Sequence, residues 1–219
     1  MYYSIRTKKI IKAVPACNVL ADIGCDHGII PYYLLKNGVC KTAVLTDISF
    51  NSLNKAKKLI GKKFDAKFVL GDGVKALESF DTAIDVCLVC GMGGMEIKDI
   101  LSANTVKVKR FILQPMTNII ELRKFLTDNN FNIIRDYLIF DKKRFYDIII
   151  TERGKCSLTK QELYFGKDNL KEMTPEFVRY LNYKKNLANK ILKGLDKASA
   201  KFSELKNYAG LIDRTLEIE

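Results

Sequence analysis

At 219 residues the chain can hold one α/β domain and a small appendage but not two ordinary enzymes, and 47% hydrophobic residues without a low-complexity tract exclude a disordered polymer. No run of about 18 apolar residues exists, and the opening MYYSIRTKKIIKAVPACN lacks the apolar stretch and small-residue cleavage site of a secretory signal, so no membrane partner is expected and the cytoplasm is the expected compartment. The formal charge of +12 fits either a nucleic-acid binder or a lysine-rich solvated surface.

The excess charge sits on the flanks. Residues 1 to 20 carry Arg6, Lys8, Lys9 and Lys12 with no acid, and residues 153 to 219 carry fourteen basic against nine acidic side chains. A polyanion can be gripped at both ends without crowding a ligand held in the middle.

From residue 18 onward, apolar runs of strand length alternate with helix-like segments, the pattern of βαβ units in a parallel sheet. The first strand, NVLADI (18 to 23), leads through Gly24-Cys25-Asp26-His27-Gly28 into a helix over 29 to 37, with Pro31 in its first turn. A second strand, AVLTDI (43 to 48), precedes NSLNKAKKLIGKK, where Leu53, Ala56, Leu59 and Ile60 share a face and lysines take the other. The next strands are AKFVLG (66 to 71), IDVCLVC (84 to 90) and KRFILQ (109 to 114), each rich enough in Val, Ile, Leu or Phe to be covered on both faces. A helix over about 119 to 129 follows, and then FNIIRDYLIF and FYDIIITER flank the turn-like DKKR, which predicts an antiparallel hairpin. A Rossmann-like parallel sheet ended by such a hairpin is the arrangement of class I methyltransferases, whereas NAD-dependent relatives end in another parallel strand.

Beyond Thr151 strand patterning stops, and Pro175 opens a helical run to residue 217. Leu195, Ala198, Phe202, Leu205, Ala209, Ile212 and Leu216 recur at coiled-coil spacing, as do Phe177, Tyr180, Leu181, Leu187, Ala188 and Ile191. Gly194 and a candidate N-cap at Ser199 predict a break, hence two antiparallel helices. The expected division is a catalytic domain over 1 to 154 and a helical coiled-coil domain over 155 to 219.

Six cysteines (Cys17, Cys25, Cys40, Cys87, Cys90 and Cys156) are scattered, and several fall within strands. Cys87 and Cys90 form a C-x-x-C inside an apolar run with no second Cys/His pair at zinc spacing, so they are expected to be structural thiols and no metal is expected.

Three acids follow three successive strands. Asp22 closes the first, Asp47 the second, nineteen residues past Gly28, and Asp72 lies in Gly71-Asp72-Gly73 after the third. In an open α/β sheet all three face the carboxyl edge where ligands bind, with Asp22 placed for an amine, Asp47 for ribose hydroxyls and Asp72 for an exocyclic amine of adenine. Gly24 permits a tight turn and close backbone approach. Asp26 stands where a dinucleotide fingerprint needs glycine beside a pyrophosphate. Two like unit charges about 4 Å apart cost roughly 4 kcal/mol at an effective dielectric of 20. S-adenosylmethionine has no phosphate and carries a sulfonium cation, so a methyl donor is the expected cofactor and a nicotinamide coenzyme is disfavoured. The bland alternative is that these are only turn residues.

The fourth strand ends in Cys90-Gly91-Met92-Gly93-Gly94-Met95 and the fifth in Leu113-Gln114-Pro115-Met116-Thr117-Asn118. Glycines at the fourth strand end leave room for a flat base near the transferable methyl; the alternative is a flexible turn before a helix.

With DIGCDHG, GDG, GMGGMEIKDIL and LQPMTN in this order, and LTKQELYFG in the helical tail, the chain resembles the bacterial TrmK family of tRNA (adenine-N1)-methyltransferases, which modify adenine 22. The resemblance runs end to end and is densest over residues 18 to 150. It departs at Gly28, where the family carries a small residue such as Ala, and at Asp47, where a Glu is found elsewhere. It implies a class I methyltransferase domain, an antiparallel coiled-coil tail, S-adenosylmethionine as donor and tRNA as partner. On this basis the donor is expected to meet Asp22, Gly24, Cys25, Asp26, Gly28, Asp47, Ile48, Gly71, Asp72, Gly73, Cys90, Gly91 and Met92. The catalytic set is expected to be Asp26, His27, Gly91, Gly93, Gln114 and Asn118, with Gly94 and Pro115 lining the acceptor pocket.

Adenine N1 keeps a lone pair at neutral pH, so no strong base is needed, and a carboxylate such as Asp26 would stabilise the cationic product or accept from N6. His27, the single histidine, is either catalytic or base-stacking, or else a helix cap or loop orienter. Lys8, Lys9, Lys12, Lys184, Lys185, Lys190, Lys193, Lys197 and Lys201 are candidate phosphate contacts. The chain is expected to act as a monomer. Rival readings are a methyltransferase for another RNA or a small molecule, and a non-catalytic RNA-binding protein with a Rossmann core.

Overall fold

The computed structural model of the chain describes residues 3–78, 80 and 83–217. Residues 1–2 and 218–219, the outer ends of the two expected domains, lie outside the described residues. Strands β1 (Cys17–Ile23), β2 (Cys40–Asp47), β3 (Asp65–Leu70), β4 (Ile84–Met92), β5 (Val108–Pro115), β6 (Phe131–Asp141) and β7 (Arg144–Arg153) form one sheet in the order β3-β2-β1-β4-β5-β7-β6. The first five are parallel, and β7 joins β5 antiparallel, as the hairpin reading expects.

Because crossover helices cover both faces, the inner parallel strands β1, β2, β4 and β5 are buried on both, whereas β3, at the edge of the sheet, has no fully buried residue, against the two-sided cover expected of the 66–71 run. Ala21, Val44, Cys87 and Val89 fill one side, Leu20, Leu45, Val86 and Leu88 the other. Those helices are α2 (Ile29–Lys36), α3 (Phe50–Ile60), α4 (Gly94–Ser102) and α5 (Ile119–Asp128). Chain order reverses between β1 and β4, and the carboxyl ends of these two strands flank the crevice where open α/β sheets take ligands.

The helix α1 (Ile5–Ala13) was not legible as an element. Ser4 caps it by accepting from the Thr7 backbone N–H, and Ile10 is buried. The Arg6 backbone N–H donates to the Asp141 carboxylate, tying the helix to the end of β6.

The tail contains more helices than its periodicity suggests. Two short ones, α6 (Lys160–Phe165) and α7 (Lys167–Glu172), precede the long α8 (Pro175–Leu192) and α9 (Ala200–Leu216). Thr174 and Ser199 cap the long pair, as the Pro175 and Gly194–Ser199 signals predict. Phe177 and Leu181 near the start of α8 pack with Leu211 and Ile212 near the end of α9, around Phe165. Leu195 and Ala198 lie in the connection, so the packed seam is shorter than the spacing suggests.

What α7 covers is the open edge of the sheet. Backbone N–H groups of Asp136 and Leu138 on β6 donate to the side chains of Asp168 (2.6 Å) and Asn169 (2.7 Å), and the Lys167 ammonium donates to the Ile133 carbonyl. An edge strand otherwise offers unpaired donors to other chains; here side chains replace the missing neighbour. Arg123 of α5 locks the junction. It is fully buried, pairs bidentately with Asp136 (2.7 and 2.9 Å), reaches Asp147 (2.8 Å) and donates to the carbonyls of Leu163 and Tyr164. Among the described residues, no helix is long and apolar enough to cross a membrane.

Candidate active site

A cavity of about 450 Å³ opens at the carboxyl ends of β1, β2 and β4. Four carboxylates line it, Asp26, Asp47, Asp72 and Glu96, against one cation, Arg6. A hollow of about 150 Å³ adjoins it, where Asp22, Cys25 and His27 meet the shared residues Arg6, Gly24, Asp26 and Cys90.

The loop after β1 is held by neighbouring strand ends. The Cys25 N–H donates to the Thr46 carbonyl (3.0 Å) and the Asp26 N–H to the Asp47 carboxylate (3.0 Å), whose other oxygen accepts from Ser49 N–H (2.8 Å). Gly24 has φ +66°, and a Cβ there would stand 2.1 Å from the Met92 methyl. Its absence lets the β1 and β4 ends converge on the cavity floor. Asp26 also has positive φ (48°), yet its side chain is 72% exposed at the mouth.

Asp22 is 6% exposed. Burial first, then the charges of Asp47 and Asp26, push its pKa up to about 8. The cluster therefore repels its own ionisation until a cation arrives. Ile48, 76% exposed, stands at the cavity rim as an aliphatic surface.

The structure brings Gly24, Asp26, Asp47, Ile48, Gly71, Asp72, Gly73, Cys90, Gly91 and Met92 into the larger cavity, and Asp22, Cys25 and His27 into the smaller. Gly28 lines neither; it is the left-handed residue at the start of α2. It leaves His27 without the helix-capping role: the imidazole Nε2 lies 3.1 Å from the Lys55 ammonium and 3.5 Å from the Asp26 carboxylate.

The two downstream motifs are zipped together. Met116 N–H donates to the Met92 carbonyl (2.8 Å) and Gly94 N–H to the Thr117 carbonyl (2.9 Å). A Cβ at Gly94 would lie 2.5 Å from the Asn118 carbonyl oxygen, so this glycine admits the neighbouring loop rather than an incoming base. Gly93 precedes α4, its N–H on Glu96 (3.3 Å). Gly91 faces open space. Gln114 is fully buried, accepting from Arg6 (3.2 Å) and donating to the Pro115 carbonyl (2.8 Å). Asn118 opens α5 and, with Pro115, faces a different hollow beyond Met116.

Sequence reasoning missed Arg6, Glu96 and Met116 as lining residues. Arg6 was visible only as flank charge, because nothing in its neighbourhood predicts that α1 folds over the mouth. Glu96, within the quoted GMGGMEIKDIL, was legible as the first-turn acid of a helix. The C-x-x-C cysteines project to opposite faces of β4, Cys87 among the residues on one side and Cys90 against those on the other, so they cannot grip one ion. Burial pushes both thiols well above their ordinary pKa. Among the described residues, no group of three His, Cys, Asp or Glu side chains could hold a metal.

Residues 20–214 match the family model described as TrmK: tRNA (adenine(22)-N(1))-methyltransferase. The chain belongs to this family. A Mycoplasma pneumoniae relative is 33% identical over 148 residues, 66% of this chain and 70% of its own length. The Bacillus subtilis tRNA (adenine(22)-N(1))-methyltransferase is 27% identical over 157 residues, 69% of this chain and 65% of that protein. Among solved structures, Mycoplasma capricolum TrmK in complex with S-adenosylhomocysteine superposes with a TM-score of 0.89 at 25% identity, covering 99% of each chain. Streptococcus pneumoniae Sp1610 in complex with S-adenosylmethionine gives 0.88 at 27% identity, covering 98% of this chain and all of that one. The family is thus one of tRNA methyltransferases, solved members of which hold S-adenosylmethionine or S-adenosylhomocysteine, and they cover 98–99% of this chain, tail included.

Proposed function

We propose that this chain transfers a methyl group from S-adenosylmethionine to N1 of adenine 22 in tRNA, working as a monomer in the cytoplasm. The observation that carries the reading is the cavity whose wall holds four carboxylates and one arginine. It fits a cationic ligand and opposes a pyrophosphate. Its volume of about 450 Å³ lies in the range for a cofactor-sized molecule.

In this reading Asp22 holds the donor's ammonium from the smaller hollow. Asp47 takes the ribose hydroxyls, since a carboxylate that accepts two backbone N–H bonds still has lone pairs to offer. Asp72 meets the adenine amine and Ile48 covers the adenine face. The donor, when bound, supplies an electrophilic methyl: the lone pair on target N1 forms the new N–C bond as the C–S electron pair leaves with sulfur.

The protein orients and desolvates the two reactants. Asp26, exposed at the mouth and shared by both cavities, stabilises the positive charge that arises on the methylated base. Gln114 acts as a positioning residue, pinning Arg6 and the 115–118 loop. Its side chain reaches neither cavity. The target base must leave its stack to present N1. The helices α8 and α9 form a short antiparallel coiled coil that grips the RNA, functionally distinct from the catalytic part ending at residue 154.

The deciding experiment is labelled-methyl transfer into tRNA lacking the modification, with reverse transcription as readout. N1-methyladenine blocks pairing, so extension should stop at position 22; no stop and no incorporation reject the assignment. Asp26→Asn deletes the charge while keeping a residue that tolerates positive φ. It should retain donor binding and lose roughly 10²-fold in turnover.

A further inference from the structure

Beyond Met116, which lines the donor cavity, the loop 115–119 opens onto a second hollow of about 650 Å³. Its other walls are the β6–β7 hairpin and the first half of α8. Nothing in donor binding requires it.

Its chemistry is unusual for a protein surface. Four cations, Lys143, Arg144, Arg179 and Lys184, share it with a run of aromatic rings. The one carboxylate in the lining, Asp147, is bridged to Arg123 at 2.8 Å and also feels the charge of Lys184. Among the described residues, no carboxylate lies within salt-bridge distance of any of the four cations. The rings are mutually ordered: Phe145 lies 4.8 Å from Phe140, 5.3 Å from Tyr180 and 6.1 Å from Tyr183, and the Arg179 guanidinium sits 3.7 Å over Phe140. Tyr183 is 54% exposed at the rim.

The hairpin turn is an independent sign. Lys142 and Lys143 both have positive φ (45° and 67°), in a two-residue turn that favours Asn-Gly. Side chains there cost on the order of 1 kcal/mol each. The turn nevertheless presents cations beside the hollow.

We propose that this hollow is a second nucleotide subsite, which stacks a base adjoining the target adenine on Tyr183 and Phe145 and holds its flanking phosphates with Lys143, Arg144, Arg179 and Lys184. Cations without a salt bridge beside an aromatic platform are what single-stranded nucleic acid selects, since every base has a face to stack and every linkage a charge. Lying next to the donor cavity across Met116, the subsite would hold a neighbouring nucleotide while the target is unstacked. The proposal rests on the tRNA methyltransferase reading and adds to it where the RNA is gripped.

The test compares tRNA binding by fluorescence anisotropy across a salt series for the full-length protein and its variants. Tyr183→Ala should weaken binding roughly tenfold, and Tyr183→Phe should restore it, because the ring face and not the hydroxyl acts. The double variant Lys143→Ala/Arg144→Ala should flatten the slope of log Kd against log salt by roughly 1.5, as expected for two lost phosphate contacts. Donor affinity and melting temperature, measured alongside, should match the parent protein. If both variants bind tRNA with the parent's affinity and salt slope while the parent methylates position 22, the subsite is overturned and the function stands. If the parent transfers no methyl to tRNA, the functional reading itself fails. An acidic peptide that occupies the hollow without competition from tRNA would also overturn the proposal.

Discussion

If Asp22 holds the donor's ammonium, as proposed, donor binding is a proton-exchange reaction. Burial, then the charges of Asp47 and Asp26, push its carboxyl up to about 8, whereas a donor α-ammonium titrates at roughly 7.7–8.0. The bound pair holds one proton between two groups. Below pH 8 the free protein and free donor together hold nearly two, so binding releases one; above pH 8 they hold fewer than one, so binding takes up a fraction. Affinity should therefore peak near pH 8 and fall roughly twentyfold by pH 6, with a limiting slope of tenfold per unit. Calorimetry at pH 6.5 in two buffers of different ionisation enthalpy should report about one proton released per donor bound. The Asp22→Asn protein should bind weakly and lose the acid limb of the profile. An affinity that stays flat from pH 6 to 8 in the parent protein would refute the reasoning.

The same group predicts a stability slope. Its folded pKa lies above the unfolded value, so the folded state keeps a proton that the unfolded chain releases between pH 4 and 8, and stability falls as pH rises through that window by up to about 1.4 kcal/mol per unit. Asp22→Asn should consequently melt higher than the parent at pH 8 and equally at pH 4. Gly24→Ala places a methyl against Met92 at positive φ; it should cost about 1–2 kcal/mol in urea unfolding and reduce donor affinity more than tenfold by crowding the cavity floor, and unchanged affinity would show that Met92 yields freely. Arg123→Met leaves Asp136 and Asp147 buried without their cation. It should cost on the order of 3–5 kcal/mol in urea unfolding, with partial recovery when Asp136→Asn is added.

Legibility followed the physics of each element. Strands covered on both faces must be almost wholly apolar, so NVLADI, AVLTDI and IDVCLVC stand out, and the acids that close the first two, with Asp72 just after AKFVLG, mark the carboxyl edge without any coordinates. The DKKR turn was readable because charged residues interrupt two apolar runs, although nothing local says that both lysines adopt positive φ. Arg6 could not be read as part of the site, since α1 is short, carries one buried residue and owes its position to Asp141 and Gln114 far along the chain. The glycines at the end of the fourth strand predict space for a base; Gly91 faces open space, whereas Gly94 is close-packed against the 117–118 backbone. Glycine content tells that something approaches closely but not what. The helices α6 and α7 escaped because six residues are too few for a periodicity, and their role lies in Lys167, Asp168 and Asn169 meeting the backbone of β6.

That last contact decides where the chain can be cut. A division at residue 154 follows the end of strand patterning, but it strips β6 of the side chains that satisfy its outward N–H groups and takes two carbonyl acceptors from Arg123. Each protein hydrogen bond exchanged for one to water costs about 0.5–1.5 kcal/mol net, and the bared edge becomes a template for association. A cut after residue 174 keeps α6 and α7 and removes only α8 and α9. The 1–174 protein should stay monomeric, melt well above the 1–154 protein and bind donor, while losing methyl transfer to tRNA. Equal melting and equal aggregation of the two truncations would show that α7 merely rests on the edge and that the sheet does not depend on it.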